Sequence, residues 1–167
     1  MILIALGGNQ PSHAGAPAAT LRAALGTLPQ RNVVVETVSP FYGSLAWPDP
    51  NDPQFVNAVA KIETGLSPYG LLAVLKEIER AFGRKSAKRN APRPLDLDIL
   101  DYDGRIENGL PTLPHPRLHE RGFVLIPLRD VAPKWRHPVS GLSVDELIES
   151  LPADTRVLTR LDDEAGD

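Results

Sequence analysis

Leu95-Asp96-Leu97-Asp98-Ile99 alternates apolar and acidic residues without a break, which is the period of a β-strand. Successive side chains of a strand point to opposite faces. The three apolar side chains therefore go to a core, and both carboxylates stand together on the other face. Two acids so placed repel, and the proton affinity of one should rise. A hard divalent cation relieves the conflict by taking oxygen ligands from both. An isolated Asp-x-Asp is as often a pair of solvated acids, because so short a motif recurs by chance.

The residues just upstream shift that balance. Arg84, Lys85, Lys88, Arg89 and Arg93 make up half of the ten residues from 84 to 93, with no acid among them. Alone, such a run reads as a solvated face. Leading straight into paired aspartates, it supplies the second half of what a metal-bound triphosphate requires: carboxylates for the ion, and arginines for the oxygens the ion leaves uncovered. A Walker-type phosphate loop is missing, because Gly7-Gly8-Asn9 lacks the lysine and the spacing. A nucleotide site here is of another kind.

Working outward, the aspartate strand runs from Leu95 to Tyr102 and ends at the turn pair Asp103-Gly104. Before the basic run, Ser67-Pro68 opens a helix with Leu71, Leu72, Leu75, Ile78 and Phe82 at helical spacing, closed by Gly83. From Phe55 to Glu63, Val56, Ala58, Ala60 and Ile62 alternate with Phe55, Asn57, Val59 and Lys61, which predicts a strand with one buried face and with Phe55 and Asn57 on the other. Met1 to Leu6 predicts a buried strand before a glycine turn, Pro17 to Leu28 a helix with proline at its first position, and Val33 to Val38 a second strand. Pro40 to Pro53, with four prolines around Trp47, reads as an ordered surface loop with little regular structure. Ser143-Val144-Asp145-Glu146 has the capping-box pattern of a short helix, and Arg156 to Leu161 reads as a last strand. Strands and helices alternate irregularly, with one hairpin, so the expected class is α+β, an α/β sandwich with a mostly antiparallel central sheet and helices on its faces.

The chain has 167 residues and no cysteine. That length suits one domain, read as residues 1–161, with the acidic stretch 162–167 expected to be a disordered tail. Without cysteine there is neither a disulfide framework nor a thiolate metal site, and the chain suits a reducing compartment such as the cytoplasm. Met1 to Leu6 has no basic residue before it and stops at Gly7, so it reads as a strand rather than a leader or membrane span. A formal net charge of -3 argues against a general nucleic-acid binder. Two other classes stay open on the residues alone: a different metal-dependent nucleotide enzyme, and an RNA-binding domain using the basic run. The second usually shows clustered exposed aromatics, and only nine Phe, Trp and Tyr residues are scattered here.

The run Ala91-Pro92-Arg93-Pro94-Leu95-Asp96-Leu97-Asp98-Ile99-Leu100 resembles the signature of the 6-hydroxymethyl-7,8-dihydropterin pyrophosphokinases of folate biosynthesis. Ala5-Leu6-Gly7-Gly8-Asn9, Phe55-Val56-Asn57-Ala58-Val59, Ile78 to Arg84, Leu113-Pro114-His115-Pro116 and Arg121-Gly122-Phe123-Val124-Leu125 are similar to other segments of that family, in the same order and up to about Pro138. The resemblance implies a ferredoxin-like sandwich and transfer of pyrophosphate from Mg-ATP to the pterin hydroxymethyl group. It further implies Asp96 and Asp98 as ligands of two Mg²⁺ ions and, with Arg84 and Arg93, as catalytic residues. Gly8, Ser44, Leu45, Trp47, Phe55, Asn57, Asp96 and Phe123 would bind the pterin. Leu72, Lys76, Glu79, Arg84, Lys88, Arg93, Ile99, Thr112, His115 and Arg121 would bind ATP. The implied partners are these two small molecules, with no nucleic acid or membrane, and the implied state is a monomer. The chain departs from the family pattern at Gly8, where serine is common, at Asn90-Ala91, where Trp-Gly is usual, and at Ser44 to Pro48.

Overall fold

The computed structural model describes residues 1–44, 51, 54–83 and 94–161. Its centre is β1 (Ile2–Gly8), flanked by β4 (Phe55–Thr64) and β5 (Asp96–Tyr102), both antiparallel to it. The ten residues of β4 carry two partners on their far side. The first half pairs with β3 (Tyr42–Ser44) and the second with β2 (Val33–Val38). A short C-terminal strand, β8 (Thr159–Arg160), pairs with β3, giving the order β5-β1-β4-β3-β8, every pairing antiparallel. A separate ribbon joins β6 (Glu107–Asn108) to β7 (Thr112–Leu113).

Helices cover both faces. On one, α1 (Pro17–Thr27) and α2 (Pro68–Ala81) bury Leu21, Leu71, Leu75 and Ile78 against Ile4, Leu6, Ala58, Ala60, Leu97 and Ile99. On the other, α3 (Gly122–Val131) and α4 (Val144–Glu149) bury Val124, Leu125, Leu128 and Leu147 against Leu3, Val59 and Leu100. Full burial of one such side chain is worth about 1.5–3 kcal/mol, so the two cores together fix the sheet rigidly. The expected α+β class, with an antiparallel sheet between helical layers, is what the structure has. Among the described residues no helix is long and apolar enough to cross a membrane.

Several local signals are seen directly. Ser67 caps α2, its Oγ accepting from the Gly70 N–H, and Gly83 leaves the helix with φ +91°. Ser143 and Glu146 form the full capping box at α4. Asp103 and Gly104 both have positive φ, and Arg105 N–H closes the turn on the Tyr102 carbonyl. Four expectations need correction. Tyr42–Ser44, inside the supposed loop, is a strand, because three residues suffice to pair with the exposed edge of Phe55–Asn57. The strand β4 is buried on both faces at its centre, since α3 lies over Val59. The last strand is only Thr159–Arg160, preceded by a 3₁₀ turn at Ala153–Arg156. Finally, α3 was not expected, because Gly122 at its start and Pro127 inside it are helix-breaking residues; burial of its apolar stripe overrides them.

Candidate active site

The strand register builds the site. Gly7 stands opposite Asn57 on one side and Asp96 on the other, and Asn57 stands opposite Tyr42. Directly opposed residues share a sheet face, so one row across four strands reads Asp96, Gly7, Asn57, Tyr42. The next row reads Asp98, Ala5, Val59. Strands lie about 4.8 Å apart, which leaves a slot of about 10 Å between the backbones of Asp96 and Asn57, floored by a residue without a side chain. Glycine is required there. A Cβ at Gly7 would sit 2.7 Å from Asn57 Oδ1, so the amide leans over the space a side chain would take.

Leu95, Leu97 and Ile99 are buried in the core beneath, and Asp96 and Asp98 face the opposite way, as the alternation requires. Burial, then the neighbouring charge of Asp96, pushes the Asp98 carboxyl from 3.8 up to about 7, while Lys76 and Arg121 pull it down and Glu79 adds to the rise. The expected rise in proton affinity thus falls on Asp98. A site that raises the affinity of a carboxylate for a proton, yet leaves 31 % of its side chain exposed, offers the same oxygens to a metal ion. The donor set fits Mg²⁺: two hard carboxylate ligands. Among the described residues no group of three or more Asp, Glu or His completes a protein-only cage, so phosphate oxygens and water would fill the rest of the shell.

His115 stands beside this pair. Its backbone N–H donates to the Leu100 carbonyl, which holds the chain after β7 against β5. Its Nδ1 accepts the Arg117 N–H at 3.1 Å, which assigns the proton of the neutral ring to Nε2. Nε2 lies 3.9 Å from Asp98 Oδ2. Burial, then the charge of Arg121, lowers the imidazole to about 4, so at neutral pH the contact is with an uncharged ring and is no ion pair. Arg121 precedes α3, its guanidinium 5.5 Å from the ring centroid of Phe123.

On the pterin-assigned side, Asn57 Nδ2 donates to Ser44 Oγ at 3.0 Å, and Ser44 pairs with Phe55 across the strands. Phe55 and Asn57 do share one face. Tyr42, next in the row, donates to Asp130 of α3 at 2.5 Å; burial and that carboxylate push its hydroxyl up to about 12. Gly8 pairs with Val56 one step beyond the slot. Leu72, Lys76 and Glu79 form one stripe of α2 facing β5. Glu79 is 1 % exposed; one carboxylate oxygen accepts the Leu97 N–H at 2.7 Å and the other meets Lys76 Nζ at 3.1 Å. Its carboxylate ties α2 to the strand that carries the aspartates. Ile99 puts its side chain in the core, away from the carboxylates, and Thr112 is exposed on β7 with its hydroxyl on the Gly109 carbonyl. Leu45, Trp47, Arg84, Lys88 and Arg93 lie outside the described residues. Two residues that the sequence did not single out stand in this row: Gly7, next to Gly8, and Tyr42, in a stretch read as a loop; only the strand register marks either one.

A family model described as 7,8-dihydro-6-hydroxymethylpterin-pyrophosphokinase matches residues 3–133. A protein of Haemophilus influenzae named 2-amino-4-hydroxy-6-hydroxymethyldihydropteridine pyrophosphokinase is 42 % identical over 148 residues, covering 87 % of this chain and 89 % of that protein. A protein of the same name from Synechocystis is 40 % identical over 120 residues, 71 % of this chain and 61 % of its own length. The fold is similar to the Plasmodium falciparum HPPK-DHPS crystal structure, with a TM-score of 0.63 at 13 % identity over 87 % of this chain and 43 % of that one.

Proposed function

This chain belongs to the 7,8-dihydro-6-hydroxymethylpterin-pyrophosphokinase family, and on that premise we propose that it transfers the pyrophosphoryl group of ATP to the hydroxymethyl oxygen of 6-hydroxymethyl-7,8-dihydropterin, a step of folate biosynthesis, with Asp96 and Asp98 as its metal ligands. The carrying observation is the row Asp96, Gly7, Asn57: a slot of about 10 Å between a carboxylate and an amide that donates and accepts. On this reading the fused bicyclic ring lies in that slot. Asn57 reads its edge, supported by Ser44, and Phe55 and Phe123 cover its faces, each such contact worth about 0.5–1.5 kcal/mol beyond burial. At the other end of the slot the hydroxymethyl group meets Asp96.

Asp96 and Asp98 would hold Mg²⁺, two ions on this reading, which would supply charge neutralisation for the triphosphate. The chain's own groups orient the reactants. His115, neutral and with its proton on Nε2, donates to a phosphate or ribose oxygen without adding charge beside Asp98. Arg121 neutralises the ATP phosphates from the α3 side, with Arg84, Lys88 and Arg93 acting from the basic run. The pterin hydroxyl oxygen attacks the β-phosphorus and gives up its proton to solvent, the bond from that phosphorus to the α,β-bridging oxygen breaks, and AMP departs with that oxygen. Leu72, Lys76 and Thr112 line the nucleotide side, and Ile99, whose side chain is in the core, would meet the nucleotide through its backbone alone. The reading includes a monomer acting in the cytoplasm on these small molecules, without nucleic-acid or membrane partners. Incubation with Mg-ATP and the pterin alcohol, followed by phosphorus NMR, tests it: AMP should appear with the pterin diphosphate, and release of ADP or free pyrophosphate would end the assignment.

A further inference from the structure

Residues 134–161 lie beyond the stretch matched by the family model, yet part of this segment touches the site from behind. Gly122, the first residue of α3, is buried, and a Cβ placed on it would fall 2.0 Å from the Thr155 carbonyl oxygen, 3.1 Å from its carbon and 3.5 Å from Leu151 Cδ1. Its φ is not left-handed, so the demand for glycine is one of space alone. The 3₁₀ turn Ala153–Arg156 is thus seated backbone to backbone against the first turn of α3. Gly122 is flanked by Arg121 and Phe123, one assigned to ATP and the other to the pterin, and the carbonyl of Arg121 accepts the N–H groups of both Val124 and Leu125. Anything that moves Gly122 moves both neighbours.

The same segment continues to the other wall of the slot. Thr159 and Arg160 pair with Gly43 and Tyr42, and Leu161 N–H donates to the Phe41 carbonyl at 2.8 Å. Within eight residues the chain therefore touches the helix that carries Phe123 and the strand that ends in Ser44, which holds Asn57. The turn is closed from within: Thr155 N–H and Oγ1 both donate to the Pro152 carbonyl, at 3.0 and 2.7 Å. We infer that the strap Pro152–Leu161, through the contact of Thr155 with Gly122, is a positioning element that sets where Arg121 and Phe123 stand relative to Asn57. The inference rests on the proposed pterin and ATP roles of those residues, and its geometric part stands apart from them.

The test uses the full chain with Gly122→Ala, Thr155→Gly and the double variant. The four phenylalanines, Phe41, Phe55, Phe82 and Phe123, are labelled with carbon-13 in the ring, and kcat and both KM values are measured beside them. In Gly122→Ala the Phe123 signals should shift while those of Phe82 stay, and kcat/KM for both substrates should fall at least about tenfold, since displacements near 1 Å cost up to about a hundredfold. Thr155→Gly removes the hydroxyl that closes the turn and gives the strap room to yield. In its background Gly122→Ala should cost much less, and the Phe123 signals should move back towards their original place. Folded Gly122→Ala protein with unmoved Phe123 signals and unchanged KM values overturns the inference, as does equal loss in both backgrounds. A lower melting temperature without either change would mark the contact as merely structural and would also overturn it. If Gly122→Ala does not fold, Thr155→Gly alone decides, by broadening of the Phe123 signals or their constancy. Wild-type protein that transfers no pyrophosphate would refute the proposed function, and the ring signals would still decide the positioning.

Discussion

Lowering the pH from 7 to 5 should empty the proposed metal site at Asp96 and Asp98 much faster than an ordinary pair of carboxylates would allow. Burial and the charge of Asp96 place Asp98 at about 7, so at pH 7 about half of the metal-free molecules carry it ionised, and at pH 5 about one in a hundred. A divalent ion binds the carboxylate and not the acid, and must displace the proton. The apparent Kd therefore rises about fifty-fold over these two units and levels off above pH 8. An aspartate left at 3.8 would still be about nine-tenths ionised at pH 5, and the Kd would hardly change.

The same shift fixes the sign of the stability change. The metal-free fold prefers the neutral acid, so the unfolded chain binds fewer protons between the two values, and stability is greatest below about 4 on this account and is lost as the pH rises through about 7. Mn²⁺ titrations followed by water-proton relaxation at pH 5, 6, 7 and 8, without nucleotide so that ATP phosphates do not titrate, measure the effect. Asp96→Asn removes the second-largest cause of the rise, so its profile should bend at lower pH, around weaker binding overall. A Kd for the unaltered protein that is flat from pH 5 to 7 refutes the reasoning, because Asp98 would then be ionised throughout.

Asp98→Asn should fold with an unchanged circular dichroism spectrum and lose nearly all transfer, since the site loses an anionic ligand; full turnover would mean the metal is held elsewhere. Gly7→Ala should raise the KM for the pterin more than that for ATP, because the new methyl lands 2.7 Å from Asn57 Oδ1 and must push the amide aside; equal KM values would show that the amide is not the reader. Glu79→Ala leaves the Leu97 N–H without its acceptor and should cost about 1–3 kcal/mol in urea unfolding, whereas Glu79→Gln retains an oxygen acceptor and should cost less; the reverse order would place the loss in charge rather than in the hydrogen bond. Tyr42→Phe removes the hydrogen bond to Asp130 and should cost about 1 kcal/mol by the same measurement, and a stability equal to that of the parent would leave that bond without net value.

What could be read from the residues followed from local periodicity, and what could not depended on pairings between distant segments. The alternation in Leu95 to Ile99 is visible in five residues because a strand sorts its side chains by parity alone, and the caps at Ser67 and Ser143 are visible because each is satisfied within three residues. Gly7 carries no such mark. Its role exists only because β1 runs between β4 and β5 in a register that sets it opposite both Asn57 and Asp96, and a slip of one residue would put Gly8 there and turn the aspartates' neighbours to the wrong face. Helix α3 was hidden for a related reason: Gly122 and Pro127 lower its intrinsic propensity, and the force that forms it is burial against Val59 and Leu100, residues 63 and 22 positions before Gly122 in the chain. Gly122 itself shows how the two kinds of information meet. Next to a helix start, glycine reads as a weak breaker; beside the Thr155 carbonyl it is the only residue that lets the strap close, so the local cost in helix propensity is the condition for holding Arg121 and Phe123 in place.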